Sequence, residues 1–171
     1  MKTKVLHADA AAAADTLLQA LTPLCERIEV AGSLRRGKDT VGDIEIVAIP
    51  MQQRNLFDEP TGETFVDAWM RTLPSKPSKN GARQKQFQWQ GMQVDLFLAT
   101  PDNFGYILML RTGGKDFSRR MVTEKRFGGL RPPNVTVGEG VVYVDNVPVA
   151  VPEEADVWRI WGMEPVSPAQ R

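Results

Sequence analysis

Two short segments of the chain combine a run of apolar residues with acidic residues at fixed positions. Residues 42–50 are rich in isoleucine and valine, and they contain Asp43 and Glu45 two positions apart. Residues 91–100 alternate apolar and polar side chains, with Asp95 on the polar side. A strand turns successive side chains to opposite faces, so we expect Asp43 and Glu45 to point the same way. If the two strands are neighbours in one sheet, all three carboxylates form a cluster.

The pattern of the other residues up to about 100 predicts helices around these strands. An alanine-rich segment with leucines on one side predicts a helix over residues 7–24, and residues 64–73 predict a shorter one. Residues 27–31 predict a strand, and the polar residues 51–62 predict a loop. Glutamines alternate with larger side chains over residues 84–89, ahead of a Gln-Gly turn that is typical of a hairpin. The result is a small mixed sheet flanked by helices.

The second part of the chain predicts a smaller α/β unit. Helices are expected over residues 102–110, with Asp102 as the N-cap, and again through residues 117–122. Short strands separated by turn residues follow over 135–151, and residues 152–161 predict a last helix whose Trp158 and Trp161 belong to the core. We therefore predict an α+β protein with two domains, residues 1–103 and 104–171.

Composition limits the chemistry that is available. The chain has 171 residues, of which 42% are hydrophobic and 25% charged, as in ordinary globular proteins. No apolar run reaches the length of a membrane span and no secretory signal pattern opens the chain, so we expect a cytoplasmic monomer without a membrane partner. With one cysteine, Cys25, and one histidine, His7, carboxylates are the expected metal ligands.

The net charge is zero, but the charges are unevenly distributed. Residues 104–131 contain seven basic and two acidic side chains, and five basic residues without an acid lie between Asp67 and Asp95. Such segregation suits local contacts with phosphates, although solvated charged faces are the alternative interpretation.

Burying carboxylates together is costly unless a cation joins them. Divalent metal ions take oxygen ligands, and two ions clamped by a carboxylate cluster assist phosphoryl transfer. The alternatives are a half-exposed edge strand with a solvated acidic face and an ordinary strand aspartate at position 95. Before these acids, Gly32 allows a close backbone approach and Ser33 adds a hydroxyl, which together indicate a small anion site.

Several motifs resemble those of the family X DNA polymerases, which belong to the nucleotidyltransferase superfamily. They are GS-x-RRG from Gly32, GD-I-E from Gly42, VDLF around Asp95 and LRTGGKDFSRRM over residues 110–121, in the family's order. The resemblance implies a nucleotidyltransferase palm followed by a small thumb. It implies a DNA polymerase that fills short gaps in repair, using deoxynucleoside triphosphates, a primer-template or gapped duplex, and two Mg²⁺ ions, with Mn²⁺ as an alternative.

The same resemblance assigns roles to individual residues. The catalytic and metal-binding residues are Asp43, Glu45 and Asp95. The nucleotide-binding residues are Gly32, Ser33, Arg36, Gly42, Arg111, Thr112, Gly113, Lys115 and Ser118. The DNA-binding residues, Arg83, Lys85, Arg119 and Arg120, are expected from the basic segments described above.

The motifs also depart from the family pattern. Glu45 stands where an aspartate is common, Leu110 and Arg111 replace an aromatic pair, and Ser118 replaces an asparagine. A template-independent or protein-modifying nucleotidyltransferase is the alternative activity, and a non-catalytic DNA-binding module is the alternative outside enzymes. Both a bacterial and a viral host fit the sequence.

Overall fold

The computed structural model describes residues 4–171, so residues 1–3 of the predicted first domain lie outside the described part. Within residues 4–171 the helices are α1 (His7–Leu21), α2 (Gly32–Arg35), α3 (Phe65–Met70), α4 (Phe104–Thr112), α5 (Lys115–Val122) and α6 (Glu154–Trp161). The strands are β1 (Val5–Leu6), β2 (Cys25–Val30), β3 (Thr40–Val41), β4 (Asp43–Pro50), β5 (Gln52–Arg54), β6 (Pro60–Thr64), β7 (Lys79–Asn80), β8 (Gln84–Trp89), β9 (Met92–Leu98), β10 (Val135–Gly138), β11 (Val141–Val144) and β12 (Val147–Val149).

A five-stranded sheet with the order β2-β4-β9-β8-β7 forms the centre of the fold. The pairing of β4 with β9 is parallel, whereas the other pairs are antiparallel. Between β8 and β9 the chain turns at Gln90 and Gly91, which both have positive φ as a two-residue hairpin turn requires. The strands that carry the acidic residues, β4 and β9, are neighbours, which is the condition that the predicted carboxylate cluster requires.

Each face of the sheet carries a different apolar cluster. On one face, alternate residues of β4 and β9 such as Ile44, Ile46, Val94 and Leu96 pack with the alanines and leucines of α1. On the other face, a smaller cluster joins the sheet to α4, where Phe104 and Leu108 meet residues 47, 49, 97 and 99. This second face is also the one on which Asp43, Glu45 and Asp95 lie, because strand residues alternate.

A separate core forms after residue 104. The antiparallel sheet β10-β11-β12 and helices α4, α5 and α6 bury Met109, Met121, Val157, Trp158 and Trp161 together. The indole N–H of Trp161 donates to the carbonyl of Met121 at 3.0 Å, which satisfies the one polar atom of this buried ring. The prediction that both tryptophans belong to the core is confirmed, and the domain boundary at residue 103 stays a prediction.

Four arginines of the first half bind the second half directly, and one of them, Arg83, pairs with Glu139. Arg27 donates to both carboxylate oxygens of Glu153 and lies over the ring of Phe104, with its Cζ 4.0 Å from the ring centroid. Arg35 and Arg36 bind Glu154 and the end of α4, as described below. These charge-assisted bonds join α2 and β2 to α4 and α6, so the two halves share one interface.

Some local predictions were wrong. Residues 52–64 form the hairpin of β5 and β6 where a loop was expected, because polar strands can pair without presenting an apolar face. Asn103, rather than Asp102, precedes α4, and its side-chain oxygen accepts from the N–H of Thr100 instead of capping the helix. Within residues 4–171 no helix is long and apolar enough to cross a membrane.

Candidate active site

The parallel register of β4 and β9 brings the three acidic residues onto adjacent positions. Glu45 is the direct partner of Asp95, and Asp43 is the partner of Gln93. Asp43 and Glu45 are half-buried, whereas the exposed fraction of Asp95 is only 7%. The acids therefore lie at the edge of the interface between the sheet and α4, where a carboxylate has little water to solvate it.

Glu45 shows the electrostatic cost of this arrangement. The pKa of its carboxyl is raised from 4.5 to about 7, chiefly by burial and in addition by the neighbouring charges of Asp43 and Asp95. Arg36 and Arg111 oppose this shift by their positive charges. The structure thus contains a like-charge cluster that nearby arginines offset only in part.

The Glu45 side chain packs tightly against Gly32, the first residue of α2. A Cβ atom built on Gly32 would lie 2.0 Å from Oε2 of Glu45, and Gly32 has a φ of +61°. Only glycine accepts both the left-handed backbone and the close carboxylate. The Gly-Ser motif therefore meets the acidic strand here.

The oxygens of Asp95 are engaged by amides that the sequence analysis did not single out. Gln84 and Gln86 donate to Oδ1 at 3.0 and 2.7 Å, and Gln93 donates to Oδ2 at 2.7 Å. The alternation of glutamines along residues 84–88 was the available signal, because every second residue of an antiparallel neighbour faces the same side.

The three carboxylates match divalent cations in ligand chemistry. Mg²⁺ and Mn²⁺ bind carboxylate oxygens, and a cation here would relieve the repulsion that raises the pKa of Glu45. Within residues 4–171, however, no three Asp, Glu, His or Cys side chains are gathered around a single ion position. The donor set fits such ions, and the two-ion arrangement stays a prediction.

A cavity of about 580 Å³ lies beside the acidic strand, at the turn that leads into α2. It contains three of the predicted nucleotide-binding residues, Ser33, Arg36 and Gly42, together with Asp43. Lys4 and Lys38 also line it, and the sequence analysis missed both. Lys4 reaches Gly42 because β1 pairs with β3, a long-range contact that nothing in the local sequence indicates. Asp39 and Asp43 also line the cavity, but the three cations outnumber them, so the cavity suits an anion.

A second cavity of about 470 Å³ lies between the sheet and α5. Arg36 lines both cavities, and Glu45 lines the second one. The other lining residues come from the segment after the start of α4, and they include the predicted nucleotide-binding residues Arg111, Gly113, Lys115 and Ser118. The structure therefore places most of the predicted nucleotide-binding residues around two cavities that adjoin the acids.

Arg111 is held between the two halves of the molecule. Its guanidinium lies over the ring of Phe97, with Cζ 3.9 Å from the ring centroid. Burial lowers the pKa of this guanidinium, while the charges of Glu45 and Asp95 raise it. Its Nε is buried without a hydrogen-bond partner. Arg111 is thus a largely buried cation close to the acidic cluster.

Two other predicted nucleotide-binding residues, Thr112 and Ser118, form hydrogen bonds within the protein. Thr112 is fully buried, its hydroxyl accepts from Arg35 at 2.8 Å, and its carbonyl accepts from Arg36 at 2.6 Å. The hydroxyl of Ser118 donates to the carbonyl of Leu110 at 2.7 Å. These bonds fix the segment around Gly113, which lines the second cavity.

The predicted DNA-binding residues divide into exposed and buried ones. Arg119 and Arg120 are exposed on α5, and Arg83 is exposed where it meets Glu139 across the interface. Lys85 corrects the prediction, because its side chain is 2% exposed and its Nζ binds Asp67 at 2.6 Å and Asn80 at 2.7 Å. Lys85 neutralises the partly exposed carboxylate of Asp67 and has almost no surface of its own to offer to DNA.

Comparison with solved structures identifies the fold. The crystal structure of Leishmania infantum polymerase beta in a ternary P/T complex is similar with a TM-score of 0.74 and 16% sequence identity, over 99% of this chain and 77% of that one. No family model and no curated protein sequence matches the chain. The chain therefore has a polymerase-beta-like fold of the predicted α+β class, a mixed five-stranded sheet flanked by helices.

The close contact between Gly32 and Glu45 predicts the result of a matched pair of substitutions. Gly37→Ala introduces a side chain at a φ of +69° with open space around it, so it should cost about 1–2 kcal/mol of unfolding free energy. Gly32→Ala adds a collision with the Glu45 carboxylate to a similar backbone strain, so it should cost roughly 1–3 kcal/mol more. Urea unfolding of both variants measures the difference, and equal losses would show that Glu45 does not press on Gly32.

The raised pKa of Glu45 predicts a pH-dependent stability. The folded state holds this proton more tightly than the unfolded state, so the charged carboxylate destabilises the fold by at most about 3 kcal/mol above pH 7, and by nothing below pH 4.5. Glu45→Gln should therefore unfold at higher urea than the wild type at pH 8, in EDTA. This advantage should shrink as the pH falls from 7 towards 4.5. An advantage that does not change with pH would contradict the repulsion.

Proposed function

We propose that this chain is a nucleotidyltransferase of the DNA polymerase type, which adds deoxynucleotides to a primer 3′-hydroxyl in short gaps. One observation carries the proposal, the parallel register that pairs Glu45 with Asp95 and leaves Asp43 two residues away. The two cationic cavities that adjoin these acids support the proposal further. A family X type of polymerase is the finer proposal, and it rests on the sequence motifs together with the fold.

The triphosphate is assigned to the cavity beside the acidic strand. Lys4, Arg36 and Lys38 supply positive charge there, and the turn at Gly32 and Ser33 supplies a hydroxyl and a close backbone. Charged donors form the stronger hydrogen bonds to phosphate oxygens, so these residues bind and orient the nucleotide. Arg36 belongs to both cavities, which makes it the residue that spans the phosphates and the rest of the nucleotide.

The sugar and base are assigned to the cavity against α5. Gly113, Lys115 and Arg111 line it, and the missing Cβ of Gly113 leaves room for Ser118 and Phe117. Because Arg35 and Arg36 tie Thr112 to α2, the nucleotide binds between surfaces whose spacing is already set. Fixed positioning is the main protein contribution in phosphoryl transfer.

Asp43, Glu45 and Asp95 would hold divalent ions, Mg²⁺ or Mn²⁺, which when bound neutralise charge on the triphosphate and on the attacking oxygen. We assign to the carboxylate of Asp95 the role of accepting the proton of the primer hydroxyl, in keeping with the resemblance to the polymerases. The burial of Asp95 excludes water from its carboxylate and makes its charge more effective. No nucleophilic side chain is needed.

Primer extension tests the proposal directly. The purified chain is mixed with a one-nucleotide gapped duplex, each single dNTP, and Mg²⁺ or Mn²⁺. The proposal expects incorporation of the nucleotide complementary to the template base. Equal incorporation of all four dNTPs, or extension of a single strand, would favour the template-independent alternative. No incorporation with either metal would remove the polymerase assignment.

The proposed metal-binding role of Asp43 predicts a loss of activity when the charge of this residue is removed. Asp43→Asn keeps the shape of the side chain but removes a negative charge, so incorporation should fall roughly a hundredfold or more while the thermal unfolding temperature is kept. Asp58→Asn is the matched control, because Asp58 is exposed at a hairpin tip with a φ of 62° that asparagine tolerates. Wild-type turnover by Asp43→Asn would contradict the assignment.

The exposed basic face of α5 predicts a measurable electrostatic contribution to DNA binding. Arg119 is 72% exposed and pairs with Asp116 three residues earlier, and Arg159 is 74% exposed with the same spacing to Asp156. Arg119→Gln should weaken binding of gapped DNA and lower the salt slope by about one unit, whereas Arg159→Gln on α6 should change neither. Fluorescence anisotropy at several salt concentrations measures both slopes. Identical slopes for the two variants would place Arg119 on a solvated face.

A further inference from the structure

Asp95 is surrounded by neutral hydrogen-bond donors. Three glutamine amides reach its carboxylate, and the Oδ1 atom receives two of these bonds while Oδ2 receives one. The carboxylate is 7% exposed, so these amides replace most of the water that would otherwise solvate it. Such a set of donors around one buried acid requires a specific arrangement of strands.

The register of the sheet provides this arrangement. Gln86 is the direct antiparallel partner of Asp95, Gln84 lies two residues before it on β8, and Gln93 lies two residues before Asp95 on β9. All four side chains share one face because strand residues alternate. Gln88 continues the same row, but it is exposed and is the partner of Gln93 rather than of Asp95.

The orientation of the Gln86 amide is also fixed from behind. The one O–H of Ser78 is shared between Oε1 of Gln86 at 2.9 Å and the carbonyl oxygen of Gln86 at 3.1 Å, and its bond to Oε1 favours the orientation that turns the amide nitrogen towards Asp95. Ser78, Gln86 and Asp95 thus form a chain of hydrogen bonds that begins at an exposed residue and ends at the buried carboxylate.

Counting lone pairs shows what remains for a ligand. A carboxylate offers about four acceptor positions on two oxygens. Two bonds on Oδ1 fill that atom, and one bond on Oδ2 leaves a single position there. We propose that Gln84, Gln86 and Gln93 are positioning residues that fix the Asp95 carboxylate and leave Oδ2 as its one oxygen for an incoming ligand.

The choice of amides over cations matters for the charge of the site. The next residue on β8, Lys85, points to the opposite face and neutralises Asp67 at 2.6 Å. A lysine on the Asp95 face would likewise neutralise Asp95 and remove its attraction for a metal ion or a hydroxyl proton. Glutamines stabilise the buried carboxylate through hydrogen bonds and leave its negative charge in place. One face of β8 therefore carries a lysine that neutralises Asp67, and the other face carries glutamines that leave the charge of Asp95 in place.

This inference rests on the proposed function for its activity readout, and two other readouts do not depend on it. Gln86→Leu removes a donor without adding charge, Gln86→Lys adds a cation, and Gln88→Leu is the matched control on the same strand and face. Ser78→Ala changes an exposed residue and removes its hydrogen bond to the Gln86 amide, while all three glutamines are kept. It therefore serves as the second variant if Gln86→Leu does not fold.

The structural readout is the crystal structure of each variant, and the binding readout is the affinity for Mn²⁺ alone, measured by electron paramagnetic resonance without DNA or nucleotide. Gln86→Leu and Ser78→Ala should move the Asp95 carboxylate, whereas Gln88→Leu should leave it in place. Gln86→Lys should weaken Mn²⁺ binding roughly 10–100-fold, the range seen when residues behind a metal ligand are changed. In primer extension, Gln86→Leu should lower kcat with little change in the KM for dNTP.

The outcomes separate this inference from the proposed function. If the wild type incorporates nucleotides but Gln86→Leu matches Gln88→Leu in kcat, Asp95 position and Mn²⁺ affinity, the positioning role is overturned while the polymerase stands. If the wild type incorporates nothing, yet Asp95 moves in Gln86→Leu and Gln86→Lys loses Mn²⁺, the positioning role stands without the polymerase. An unchanged Asp95 in both Gln86→Leu and Ser78→Ala overturns it in either case.

Discussion

Glu45 and Asp95 occupy paired positions on two adjacent parallel strands, and Asp43 lies two residues from Glu45 on the same face. These carboxylates repel one another in a place where water is largely excluded, and burial with that repulsion raises the pKa of Glu45 to about 7. This repulsion explains why hydrogen-bond donors and positive charges surround the acids. Amides from three glutamines solvate Asp95, Gly32 makes room for Glu45, and Arg36 and Arg111 place positive charge within reach.

The same region holds the two halves of the molecule together. Arg35 binds the hydroxyl of Thr112 at 2.8 Å and the carboxylate of Glu154 at 2.9 and 3.0 Å, and Arg171 binds the same carboxylate. Arg36 binds the carbonyl of Thr112 from the neighbouring position. Helix α2 begins at Gly32, which contacts Glu45. These bonds therefore couple the acidic cluster to the cavity against α5. The position of the site and the contact between the halves therefore depend on the same short helix.

The sequence predicted the parts of this arrangement that follow from alternation. It identified both acidic strands, the shared face of Asp43 and Glu45, and the hairpin at Gln90 and Gly91. It could not predict the exact pairing of β4 with β9, because register depends on contacts between residues about fifty positions apart. Lys85 was assigned to DNA because a lysine in a basic segment resembles a surface residue, whereas its burial against Asp67 is visible only in the fold. Lys4 was missed for the same reason.

Anomalous diffraction from Mn²⁺ tests the central claim most directly, namely that the paired register of β4 and β9 creates a cation site beside an anion cavity. Crystals of the wild type are soaked with Mn²⁺ and a nucleoside triphosphate. The account predicts an anomalous peak in contact with the carboxylates of Asp43 and Glu45, with triphosphate density extending towards Ser33 and Arg36. A peak elsewhere on the surface, or triphosphate bound away from these residues, would contradict it.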